Sequence, residues 1–161
     1  MLRAETITFG IVAQYLLNSC RMVCAHSQLG EVNVLASQSN WAWPRAVQDI
    51  FQPAGVNFIV ASRVDEFVNV LRHKRIHATI IDADTDLGRL STIRIIRMEY
   101  PRLPCLLLTS DSRQDLLDLA LQLDVFSVIA KPVDLGLLRR QLNRLFVKTY
   151  DSSLFAGQTD I

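Results

Sequence analysis

The chain has 161 residues, half of them apolar and a fifth charged, which is enough to close one ordinary core and excludes a disordered chain. Seventeen basic and sixteen acidic side chains leave a formal charge of +1, so no electrostatic excess points to nucleic acid or to an anionic membrane. Three cysteines do not make a disulfide framework, and Cys20, Cys24 and His26 lack a second ligand pair at zinc spacing. A reduced, cytoplasmic setting is the expectation.

Residues 1–30 read apart from the rest. The apolar stretch 7–17 is broken by Thr8, Gly10 and Gln14 and is too short to span a membrane. Arg3, that stretch and Cys20 have the outline of a signal peptide, but Glu5 and Asn18 fit it poorly. A leader or an extra helix is expected, joined by Gln28, Leu29 and Gly30 to a domain over residues 31–147.

From Glu31 onward, short apolar runs alternate with helical periodicity. Residues 32–36 read as a strand, and Pro44 opens a helix with Val47, Ile50 and Phe51 on one face. Residues 56–60 form the second strand. Ser62 and Asp65 resemble a capping box for a helix burying Val64, Phe67, Val68 and Leu71. Residues 78–81 form a third strand ending at Asp82, followed by a helix around Ile93 and Ile96 that stops near Pro101. Residues 105–108 form a fourth strand ending at Thr109. Leu116, Leu117, Ala120, Leu121 and Leu123 mark the fourth helix, and residues 126–130 the fifth strand, ending at Lys131 and Pro132. Leu135, Leu138, Leu142 and Leu145 mark the fifth helix. Residues 148–161 read as a polar tail, frayed after Tyr150. Apolar strands alternating with helices predict a parallel five-stranded, doubly wound, flavodoxin-like α/β domain with helices on both faces, a three-layer α/β/α sandwich.

In such sheets the functional crevice lies beyond the carboxyl ends of the strands. Asp82, Thr109 and Lys131 end three successive strands there, bringing a carboxylate, a hydroxyl and an ammonium to one edge. A carboxylate can attack phosphorus, while the other two can contact phosphoryl oxygens.

With these residues the chain resembles the receiver domain of bacterial response regulators, the CheY-like family. The match is carried by Ile80-Ile81-Asp82, by Leu107-Leu108-Thr109-Ser110 and by Val128-Ile129-Ala130-Lys131-Pro132, with 22 residues from Thr109 to Lys131. The resemblance implies a non-enzymatic phosphorelay module, with Asp82 the phospho-acceptor and Thr109 and Lys131 the phosphoryl contacts. It also implies a cis bond before Pro132 and Mg²⁺ held near Asp82 and Asp84. A histidine kinase or phosphotransfer protein would be the partner, or another signalling protein met through the fourth helix, fifth strand and fifth helix. That face, where Arg139, Arg140 and Arg144 lie, is also one through which a homodimer could form.

The sequence departs from the family at four places. Receivers end their first strand with two adjacent acids that hold Mg²⁺, but here the stretch is Leu35-Ala36-Ser37-Gln38-Ser39, and no acid occurs between Glu31 and Asp49. The switch aromatic is replaced by Val128, with Phe126 nearest. The loop after Asp82 lacks the usual Met-Pro. Trp41 and Trp43 follow the first strand and either pack beneath the loop or border the emptied metal pocket. With fewer acids around it, Asp82 could pair directly with Lys131. These departures point to a pseudo-receiver that signals by protein contact. Asp82-Ala83-Asp84 also matches the Asp-x-Asp nucleophile of haloacid-dehalogenase-type phosphatases, but the later acidic pair those enzymes need is missing. A calcium loop fails at Leu87 and Ile93, where Gly and Glu are required. Neither glycine-rich nucleotide motif is present.

Overall fold

The structure is a computed structural model that describes residues 29–39, 43–85, 90–111 and 113–156. The chain divides after Gly30. The expected leader or extra helix lies outside the described residues, as do Trp41 and Asp86.

Five strands form one sheet: β1 (Asn33–Ser37), β2 (Asn57–Ala61), β3 (Ala78–Asp82), β4 (Cys105–Thr109) and β5 (Ser127–Ala130). Their order is β2-β1-β3-β4-β5, and every pairing is parallel. This is the flavodoxin-like doubly wound sheet, in which the order reverses at β1 and β3. β1, β3 and β4 are buried at every position, which explains their unbroken apolar runs: helices cover both faces.

Helices α2 (Val64–His73), α3 (Leu90–Glu99) and α4 (Gln114–Gln122) follow β2, β3 and β4. Phe67 and Leu71 of α2, Ile93 and Ile96 of α3 and Ala120 of α4 join Leu35, Ile81 and Leu107 in one core. Each fully buried Leu, Ile or Phe contributes about 1.5–3 kcal/mol of transfer free energy. On the other face lie α1 and α5 (Leu135–Tyr150). α1 consists of an α-helical turn, Trp43–Ala46, and a π-helical turn, Val47–Phe51. In the latter the Gln52 N–H donates to Val47 O at 2.9 Å, one residue further back than in an α-helix. Trp43 and Phe51 of α1 meet Phe58 of β2 with ring centroids 4.8 and 4.3 Å apart. Gly55, at φ +67°, turns the chain from α1 into β2.

Three expectations are corrected. Ser62 does not cap α2 with Asp65: the N-cap is Arg63, Asp65 pairs with Arg63, and the longer Glu66 accepts the Ser62 N–H at 2.8 Å. Two residues expected on buried helix faces are exposed, Leu121 of α4 at 75% and Val64 of α2 at 38%. The tail is not frayed directly after Tyr150. Ser152 and Phe155 are buried, and the Phe155 ring meets Phe51 and Phe146 edge-on at 5.9 and 5.0 Å. Asp151, in the left-handed conformation, ends α5 and turns the chain back onto the core.

Candidate functional site

Parallel register brings the carboxyl ends of β1, β3, β4 and β5 to one edge. Asp82 pairs with Leu108 across β3 and β4, Thr109 with Ala130 across β4 and β5, and Ala36 with Ile80 across β1 and β3. The residues at and just past these pairs therefore converge, and they are the three expected ones, Asp82, Thr109 and Lys131, with Asp84 and two serines from β1 and its exit.

The Asp82 side chain is 1% exposed and each of its oxygens has a partner. Oδ1 accepts the Asp84 N–H at 2.9 Å. Oδ2 accepts from the Lys131 ammonium and from the Ser39 hydroxyl. Its backbone is held too, since the Asp82 N–H donates to Ser37 Oγ at 2.7 Å and Asp82 O accepts from Thr85 Oγ1 at 2.8 Å. A buried carboxylate without such partners would be strongly disfavoured.

Asp84 is the second centre of the pocket. Its Oδ2 accepts from Lys131 Nζ and from the Ser110 N–H, both at 3.0 Å. The Thr109 hydroxyl accepts the Asp111 N–H at 2.9 Å, and its own proton is shared between Asp111 O at 3.1 Å and Asp84 Oδ1 at 3.4 Å. Partial burial raises the Asp84 carboxyl, but bonds from Ser110 and Lys131 outweigh it and hold the group below its ordinary range. Burial likewise opposes the charge on Lys131, yet Asp82 and Asp84 outweigh it and hold the ammonium above its ordinary value. One cation thus bridges two carboxylates, and the pocket keeps its charges balanced to within one unit.

The Lys131–Pro132 bond is cis. Trp43 is buried and tilted onto Phe58, and its Nε1–H donates to Ser37 O at 3.2 Å. It is thereby held against the end of β1. Phe126 lies ahead of β5, with Lys148 Nζ 5.8 Å from its ring centroid.

The residue stretch lacking acids has a positive role that the sequence did not reveal. Ser37 accepts from the Asp82 backbone, Ser39 donates to the Asp82 carboxylate, and Gln38 Oε1 accepts from the Ser62 hydroxyl. Only the register of β1 against β3 shows that these hydroxyls reach Asp82.

The donor set does not fit Mg²⁺. Octahedral Mg²⁺ is held by one or two carboxylates with free oxygens, and here both available carboxylates are committed to Lys131. No third acid stands at the end of β1, and among the described residues no group of three acidic, histidine or cysteine side chains converges.

Comparison with protein families finds no match, and comparison with curated proteins finds none either. Among solved structures, the signal receiver domain of an HD domain-containing protein from Pseudomonas fluorescens superposes with a TM-score of 0.66 at 18% identity, covering 76% of this chain and 99% of that one. A CheY-like response regulator receiver domain from Methanospirillum hungatei gives 0.67 at 13% identity, over 76% and 98% of the two chains. This chain has the receiver fold. A putative pilus assembly-related protein from Burkholderia pseudomallei is similar at 24% identity, with a TM-score of 0.57 over 81% of this chain and 96% of that one. Set on the receiver fold, Asp82, Thr109 and Lys131 stand at the three strand ends from which the resemblance was read. No helix among the described residues is long and apolar enough to cross a membrane.

Proposed function

We propose that this receiver-fold domain is a signalling module of the two-component type that acts by protein contact, with its acceptor-position aspartate latched shut. The observation that carries this reading is the state of Asp82: its side chain is 1% exposed and accepts from Lys131, Ser39 and the Asp84 N–H. An oxygen that attacks phosphorus must present a lone pair to a donor arriving from solvent. Here that direction is taken by an ammonium and a hydroxyl. The charge offset that Mg²⁺ gives a receiver is supplied internally by Lys131, so the pocket holds one geometry without metal or phosphate. The partner is a signalling protein, and the α4–β5–α5 face is the surface proposed to meet it or a second copy of the chain.

The second reading is a working acceptor, a receiver loaded by a histidine kinase or phosphotransfer protein. It is favoured by the convergence of Asp82, Thr109 and Lys131. Intact-mass spectrometry after incubation with acetyl phosphate or phosphoramidate, with and without Mg²⁺, separates the two. The latched reading predicts no adduct from either donor on folded protein, and none after incubation with a phosphorylated histidine phosphotransfer domain. A Mg²⁺-dependent adduct that disappears in Asp82→Asn would establish the acceptor instead.

A further inference from the structure

We propose that a basic cleft at the opposite end of the sheet from Asp82 binds a small aromatic anion of the nucleoside monophosphate class. The cleft has a volume of about 430 Å³, within the range of roughly 300–1,000 Å³ for small-molecule sites. Its walls come from three elements that meet where β3 and β4 begin. Lys74 and Arg75 follow α2, Tyr100 and Arg102 follow α3, and Tyr150 ends α5. Leu71, Ile76 and Leu103 give it an apolar floor.

Three cations thus border one cleft, and among the described residues no carboxylate lines it. Helix C-termini attract cations in general, and a cation so placed can also donate to the last carbonyls of its helix. Among the described residues, the side chains of Lys74, Arg75 and Arg102 donate to no carbonyl and pair with no acid. Arg97 adds to the imbalance from beneath. Its Nη1 donates to Leu103 O at 2.6 Å, while its Nε and Nη2 are buried without an acceptor among the described residues. Positive charge therefore gathers around an apolar floor with no acidic partner among the described residues.

The aromatic walls select among anions. Tyr150 is pinned, because its hydroxyl donates to His77 O and its ring packs against Phe146. It therefore presents a fixed wall at little entropic cost on binding. Tyr100 lines the cleft as well. Aromatic side chains beside cations suit a ligand with a flat ring at one end and a phosphate at the other, with the base against the tyrosines and the phosphate against the arginines. No glycine-rich motif is involved, so the pattern was invisible in the sequence: the residues come from three separate segments.

The test is calorimetric titration of the full chain with adenosine monophosphate, inorganic phosphate and a hexaglutamate peptide. The proposal predicts one site for the nucleotide with a Kd of roughly 0.1–1 mM. It predicts phosphate and the peptide at least about tenfold weaker, because neither uses the aromatic walls. The double variant Arg75→Glu/Arg102→Glu changes two exposed side chains. It is expected to weaken the nucleotide at least about tenfold while still unfolding cooperatively on heating at pH 8, where His77 is neutral in both states, whereas Asp82→Asn leaves binding unaltered. Absence of nucleotide binding would overturn the proposal. So would binding that survives the double variant, phosphate binding as tightly as the nucleotide, or a preference for the peptide, which would assign the cleft to an acidic protein segment.

Discussion

Lys131 sets the electrostatics of the pocket, and its removal is the sharpest test at the scale of single residues. Its side chain is 19% exposed and that of Asp82 1%. Losing one partner of a buried pair costs about 3–5 kcal/mol when the other charge is stranded. Here Ser39 and the Asp84 N–H still serve Asp82, and Lys131 is partly solvated. Lys131→Met is therefore expected to destabilise by about 2–3 kcal/mol. Asp82→Asn, which leaves Lys131 paired with Asp84, should cost only about 1 kcal/mol. Urea denaturation checks both, and equal costs would mean that the two carboxylates do not share the cation. Asp82, Thr109 and Lys131 were legible in the sequence because each ends an apolar run. Ser39 was not, because a serine in a polar stretch carries no signal until the strand beside it is placed. Asp84 was read as a metal-site residue; in the structure its carboxylate accepts from Lys131 and from the Ser110 N–H.

At the scale of elements, the sequence places all five strands to within a residue and finds helices α2 to α5 by their apolar faces, since period and burial agree along them. It falters where tertiary contacts override local pattern. A helix opening at Pro44 was foreseen, but not its π-helical last turn. Leu121 looked like a core residue, yet α4 turns it to solvent and buries Ala120. The tail after α5 looked polar, yet Phe155 is 3% exposed between Phe51 and Phe146. A single aromatic in a polar stretch has no periodicity to betray it. Phe155→Ala is accordingly expected to cost about 3 kcal/mol. A change below about 0.5 kcal/mol would mean that the segment contributes nothing to the core.

Across the whole molecule, the pH dependence of stability reports on His77, buried where β3 begins. Burial and then Arg75 hold its imidazole below the ordinary 6.5. Its Nδ1 accepts the Asn33 N–H at 3.2 Å, a bond that protonation removes. The folded state thus binds fewer protons than the unfolded chain below about pH 6.5. This linkage leaves stability level above about pH 7. Stability then falls as pH drops through 6.5, by at most about 1.4 kcal/mol per unit. Denaturation midpoints at pH 7.5, 6.5 and 5.5 should show that fall, and His77→Gln should flatten it. A fall of equal steepness in the variant would assign the effect to other groups. The doubly wound α/β sheet was readable from alternation, because a parallel sheet covered on both faces leaves few other arrangements, while the likeness to receivers needed the segments ending at Asp82, Thr109 and Lys131-Pro132. What the fold does at its strand ends was not, since the same scaffold hosts different sites.

The central claim is that Lys131 and Ser39 hold Asp82 in one closed geometry that takes neither Mg²⁺ nor a phosphoryl group. Amide NMR spectra recorded on adding Mg²⁺ and then Mg²⁺ with beryllofluoride, a mimic of aspartyl phosphate, test it most directly. The account predicts that the signals of Asp82, Asp84, Thr109 and Lys131 stay in place through both additions. Saturable shifts at those residues, lost in Asp82→Asn, would contradict it and show an open receiver site.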